Sequence, residues 1–114
     1  MKKKITIFGS TGSIGQSTLD IIKHNRDKYE VIALTANKNY LMLLKQVNLF
    51  KPKIVSINDN ASYKKFKDLN VNKNLKILNG SNSYDEILDF NTDLVMAAIT
   101  GSAGLLPVVS ALKK

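Results

Sequence analysis

The 114-residue chain has no cysteine and no tryptophan, one histidine, one arginine and two prolines. Without cysteine there is no disulfide framework and no thiolate metal site. That fits a reducing compartment, and the expected location is cytoplasmic. A single histidine leaves all imidazole chemistry to His24, whose place near the end of a predicted helix suits a cation at the negative end of the helix dipole instead. No apolar run approaches the roughly 20 residues of a membrane span. The apolar stretch after Met1-Lys2-Lys3-Lys4 breaks at Gly9, too early for a signal peptide. No membrane partner is expected.

Acidic charge is scarce: nine carboxylates stand against seventeen bases, a formal charge of +8. Sixteen of those bases are lysines spread from Lys2 to Lys114, and one is Arg26. A nucleic-acid binder would use arginine forks, stacking aromatics and a basic stripe, so no nucleic-acid partner is expected. A solvated lysine surface is the simplest use of the charge, and a basic face for a phosphorylated ligand is the next. Asp85, Glu86, Asp89 and Asp93 form the one acidic cluster. No histidine or further oxygen ligand is near it, so it reads as a solvated face and not a metal site. Tyr40 and Tyr63 read as helix-surface and core packing.

What is present is an alternation. Strands are predicted over 4–8, 30–34, 53–57, 75–78 and 94–99, each short, apolar and rich in β-branched residues. Between them, helical spacing appears in Ile14, Thr18, Ile21 and Ile22, with Ser13 as cap. It recurs in Leu41, Leu44, Val47 and Phe50, stopping before Pro52, then in Tyr63, Phe66 and Leu69. A short helix over 85–89 and a last one over 105–113 complete the set. The second strand has no polar alternation and should be buried on both faces. This pattern predicts an α/β fold, a Rossmann-like doubly wound parallel sheet of five strands with helices on both faces. The chain forms one domain, 1–114, with no repeat or linker. The last predicted helix has no glycine cap and no strand after it, so the domain is expected to be the amino-terminal piece of a longer protein.

The stretch Gly9-Ser10-Thr11-Gly12-Ser13-Ile14-Gly15 joins the first strand to the first helix. In such sheets the first βα turn binds phosphate, because N–H groups at a helix start lack partners and sit at the positive end of the dipole. Gly9 would let the strand turn, Gly12 would let a pyrophosphate approach, and Gly15 would let the helix pack closely. Thr11 and Ser13 could add hydroxyl donors. The spacing G-x-x-G-x-x-G is one residue longer than the usual dinucleotide fingerprint, so its place between strand and helix carries the argument. The loop is too short for a Walker-type site and lacks the Gly-Lys-Ser/Thr ending.

The end of the second strand decides which dinucleotide. NAD-binding folds usually place a carboxylate there for the ribose 2′-hydroxyl. Here the strand runs into Asn37-Lys38-Asn39, one cation between two amides. A 2′-phosphate fits that set and a carboxylate would repel it, so the residues favour NADP over NAD.

These motifs, with the continuation Ser17-Thr18-Leu19-Asp20 and the segments Met96-Ala97-Ala98-Ile99-Thr100-Gly101 and Ala103-Gly104-Leu105-Leu106-Pro107, closely resemble the amino-terminal domain of the 1-deoxy-D-xylulose 5-phosphate reductoisomerase family. The resemblance covers essentially the whole chain. It implies an NADPH-dependent, metal-dependent enzyme that rearranges 1-deoxy-D-xylulose 5-phosphate and reduces the resulting aldehyde. The product is 2-C-methyl-D-erythritol 4-phosphate, on the non-mevalonate route to isoprenoids.

By resemblance, Thr11, Gly12, Ser13 and Ile14 hold the pyrophosphate, flanked by Gly9 and Gly15. Asn37, Lys38 and Asn39 hold the 2′-phosphate, and Ala98 and Ile99 lie near the ribose and nicotinamide. The full-length enzyme is expected to be a homodimer using Mg or Mn, with its catalytic residues and metal ligands beyond residue 114. This chain alone should turn over no substrate. The family more often has glycine where this chain has Asn37, a residue that tolerates left-handed backbone. Two rivals are another NADP-binding Rossmann enzyme, such as a semialdehyde dehydrogenase with a reactive cysteine elsewhere, and a basic nucleic-acid-binding module.

Overall fold

The computed structural model describes residues 2–80, 86–87 and 92–97. The elements run β1 (Lys3–Phe8), α1 (Ser13–Lys23), β2 (Tyr29–Ala36), α2 (Tyr40–Phe50), β3 (Ile54–Ile57), α3 (Asn60–Leu69), β4 (Lys76–Asn79) and β5 (Leu94–Ala97). Glu86 and Ile87 are helical, inside the predicted 85–89 helix. The predicted 105–113 helix, and Ala98 and Ile99 at the end of the fifth predicted strand, lie outside the described residues.

All five strands are parallel and stand in the order β4-β3-β2-β1-β5. The chain therefore winds outward from β1 through β4 and returns to the other side of β1. That reversal puts a switch point between β1 and β5, where ligands of open α/β sheets bind at the carboxyl ends of strands. The return is fastened at the opposite end. Asp93 Oδ2 accepts from Lys4 N at 2.8 Å, Asp93 N donates to Lys4 O at 2.8 Å, and Thr92 Oγ1 donates to the same carbonyl at 2.9 Å.

Helices α1, α2 and α3 cover one face. Leu19, Ile22, Leu43, Val47, Phe50 and Phe66 pack there on Ile5, Ile7, Val31, Leu34, Val55 and Ile57. The other face gathers Phe8, Ile32, Ala33, Ile54 and Val95 against Ile87. Residues 31–36 of β2 are all buried, as the missing polar alternation predicts. The alternation nevertheless slips once: Ile32 and Ala33 both belong to the second face. The pairing slips at the same place, since Ile5 pairs with Val31 but Thr6 pairs with Ala33. An extra residue in one strand of a pair puts two neighbours on one side and adds local twist.

Two expectations need correction. Ser13 does not cap α1: Gly12 is the N-cap, with no side-chain bond, and Ser13 is the first helical residue. Nor does the buried stripe of α1 follow Ile14 and Ile21, which are 51% and 62% exposed. Gly15, Leu19 and Ile22 face the core. Close approach of Gly15 to the turn fixes the rotation of the helix and sends Ile14 outward.

Candidate cofactor site

The glycine turn leaves β1 at Gly9, whose φ of 79° lies in the left-handed region that disfavours a side chain. A Cβ on Gly15 would stand 2.4 Å from Gly9 O and 2.6 Å from Ser10 Cα, backbone atoms with no room to yield. These two glycines are thus demanded by the protein itself. Gly12 is different: φ −76° and ψ 172° suit any residue, and it is exposed. Its bare backbone leaves the space in front of α1 open.

What holds the turn is buried and polar. Gly9 N donates to Thr35 O at 3.1 Å and to Thr35 Oγ1 at 2.9 Å, and Ser10 N donates to Thr35 O at 2.8 Å. Ser10 Oγ donates to Gln46 Oε1 at 2.7 Å, while Gln46 Nε2 donates back to Ser10 O at 2.8 Å. Ser10, Thr35 and Gln46 are all buried. Paired polar groups in a buried setting fix geometry strongly, because any unmade bond costs the full desolvation. The end of β2 and the middle of α2 thereby clamp the end of β1. On the exposed side, Gln16 Nε2 donates to Thr11 O at 2.8 Å.

The clamp leaves donors free where α1 begins. An N-cap side chain would accept from the second or third N–H of the helix. Glycine offers no such acceptor, and the N–H groups of Ser13, Ile14 and Gly15 have none among the described residues. The starts of α2 and α3 are closed. Asn39 Oδ1 accepts from Met42 N at 3.1 Å, and Asp59 Oδ2 accepts from Ser62 N at 3.0 Å and Ser62 Oγ at 2.8 Å. An anion before α1 would meet three N–H groups, the dipole and the exposed hydroxyl of Ser13.

The second candidate segment, Asn37-Lys38-Asn39, is exposed at the end of β2. Asn37 O accepts from Asp59 N at 2.9 Å, and Lys38 O accepts from Tyr40 N at 2.8 Å. Asn37 is not left-handed: among the described residues Lys51 is the non-glycine with positive φ. Asparagine's tolerance of that conformation is therefore not used. Asn39 spends its side-chain oxygen on capping α2, which leaves its amide N–H groups for a ligand. The Ser62 hydroxyl and N–H hold the Asp59 carboxyl below the ordinary carboxylate range, and the charges of Lys38 and Lys65 add to the effect.

The two segments meet through Thr35 and Gln46, so one clamp serves the glycine turn and the loop after β2. Sequence reasoning missed Ser10, Thr35 and Gln46. Their signal was a lone hydroxyl in the apolar strand 31–36 and a lone amide between Leu43 and Val47 on the buried side of α2. His24 and Arg26 lie outside the site. His24 caps the end of α1, with Nδ1 2.9 Å from Asp20 O. Arg26 donates to Leu49 O and stacks 5.2 Å from the Phe50 ring centroid. Among the described residues no group of three His, Cys, Asp or Glu could hold a metal, and no helix is long and apolar enough to cross a membrane.

Known proteins resemble this chain in sequence and fold. The family profile described as 1-deoxy-D-xylulose 5-phosphate reductoisomerase matches residues 5–114. A relative of that name from Thermoanaerobacter pseudethanolicus is 44% identical over 112 residues, which are 98% of this chain and 29% of the relative. One from Proteus mirabilis is 45% identical over 115 residues, with the same coverage. The reductoisomerase from Zymomonas mobilis, solved in complex with NADPH, superposes with a TM-score of 0.85 at 37% identity, over 97% of this chain and 29% of that one. A further structure, solved with NADPH, fosmidomycin and magnesium, gives 0.83 at 33% identity, over 96% of this chain and 27% of the other. The chain thus spans under a third of the length of the relatives it matches.

Proposed function

The chain belongs to the 1-deoxy-D-xylulose 5-phosphate reductoisomerase family, and from that premise we propose that residues 1–114 are its NADPH-binding domain. The observation that carries this is the start of α1: an open set of N–H groups at the end of β1, left uncapped by Gly12 while the other described helices are capped. In this reading the pyrophosphate lies against Thr11, Gly12, Ser13 and Ile14, with Gly9 and Gly15 shaping the turn. Asn37, Lys38 and Asn39 take the 2′-phosphate, and by family resemblance Ala98 and Ile99 would contact the ribose and nicotinamide.

NADPH supplies a hydride. The work of this chain is to bind, orient and select. The clamp of Ser10, Thr35 and Gln46 prepays the ordering of the turn, so little conformational freedom is lost when an anion arrives. The full-length enzyme would rearrange and reduce 1-deoxy-D-xylulose 5-phosphate to 2-C-methyl-D-erythritol 4-phosphate, as a cytoplasmic homodimer. A divalent metal, Mg or Mn, would be held by residues that follow this chain.

Calorimetric titration of NADPH into wild type and Gly12→Val tests the reading. The backbone angles of Gly12 accept valine, so the variant should fold, yet its side chain would fill the space in front of α1. NADPH binding should vanish while circular dichroism stays native. Unchanged affinity in the folded variant would remove the phosphate from this turn.

A further inference from the structure

A 2′-phosphate carries about 1.5 to 2 negative charges at neutral pH, and the loop after β2 offers one cation to match them. The structure brings a second from a different helix. The start of α3 is tied to that loop: Asp59 N donates to Asn37 O at 2.9 Å and Asn58 N to Ala36 O at 3.0 Å. One turn into α3, Lys65 places its ammonium 5.7 Å from the ring centroid of Tyr40. Tyr40 directly follows Asn39, and its N–H donates to Lys38 O at 2.8 Å. A cation over an aromatic face is attracted by the ring quadrupole, which keeps Lys65 leaning toward this loop. The Asp59 carboxylate feels the positive charge of both Lys38 and Lys65. Neither lysine forms a close ion pair among the described residues, where the one such pair joins Lys76 and Glu86.

We propose that Lys65 acts with Lys38 as a second cation of the 2′-phosphate site and adds to the preference for NADPH over NADH. This rests on reading the chain as an NADPH-binding domain. Lys64, its neighbour on α3, is also exposed but is not among the charges that Asp59 feels, so it serves as the control.

The test is calorimetric titration of NADPH and NADH into the full chain, wild type and variants, at low and high salt. Lys65→Ala should weaken NADPH by about two- to five-fold, as for an exposed charge pair, and leave NADH unchanged. The loss should shrink at high salt. Lys65→Arg should restore most of it, and Lys64→Ala should move neither cofactor. If Lys65→Ala matches Lys64→Ala while Lys38→Ala loses the preference, the proposal is overturned and the cofactor reading stands. An equal loss for both cofactors would make Lys65 a structural prop of Tyr40 and also overturn it. Equal affinity of wild type for NADPH and NADH would bring down the two together.

Discussion

Two turns at the carboxyl edge of the sheet are built in opposite ways. The turn after β1 is built of glycines and small hydroxyl residues, is held from below by buried bonds, and leaves a helix start open. The loop after β2 is exposed, carries amides and a lysine, and closes its own helix with Asn39. The first offers backbone N–H groups and the Ser13 hydroxyl to a negative charge, which every dinucleotide carries in its pyrophosphate. The second presents the side chains that, in the proposed reading, would tell one adenosine ribose from another. In that reading affinity and selectivity are separated in space, with Thr35 and Gln46 bonding the first turn from below.

The comparison breaks most completely at Gly15. Gly15→Ala would set a methyl 2.4 Å from a backbone oxygen, and either α1 or the turn must move. Overpacking of this kind costs about 1–3 kcal/mol. Thermal denaturation should show that loss, and NADPH and NADH should suffer alike, because the shape-reading turn is deformed. A native melting temperature in Gly15→Ala would mean that the turn is less tightly packed than described.

A smaller effect is expected at Gln46. Gln46→Leu keeps the volume but strands the Ser10 carbonyl in a buried setting and leaves the Ser10 hydroxyl only a long 3.4 Å bond to Thr35 O. Leaving buried groups unsatisfied costs about 1–3 kcal/mol. Chemical denaturation should register it. Binding should weaken for both cofactors, since the clamp preorganises the turn. A variant as stable as wild type would show that water or rearrangement satisfies Ser10, and that the clamp is not needed.

Much of this was open to reading from the chain. Gly9 and Gly15 stand where a strand must turn and a helix must approach, and no other residue type does both. β2 and β3 were visible because parallel strands buried on both faces read as apolar runs. The supports were harder. Ser10, Thr35 and Gln46 bond across separations of 25 to 36 residues, and local spacing carries no trace of such pairs. Ser13 looked like a cap by residue type, but with Gly15 packed on the turn Gly12 is the cap and Ser13 the first helical residue. The slip at Ile32 depends on the partner strand, so β2 alone could not reveal it. Lys65 looked like one more surface lysine until α3 was laid against the loop.

The division of labour itself is most directly tested by titrating NADPH and NADH into Gly12→Val and Lys38→Ala side by side. Gly12→Val should lose both cofactors. Lys38→Ala removes a charge-assisted bond worth roughly 1.5–3 kcal/mol, so NADPH should weaken by about ten- to a hundred-fold while NADH keeps its affinity. Equal losses of NADPH and NADH in Lys38→Ala would contradict the account, because the exposed loop would then be shaping the site without reading the phosphate.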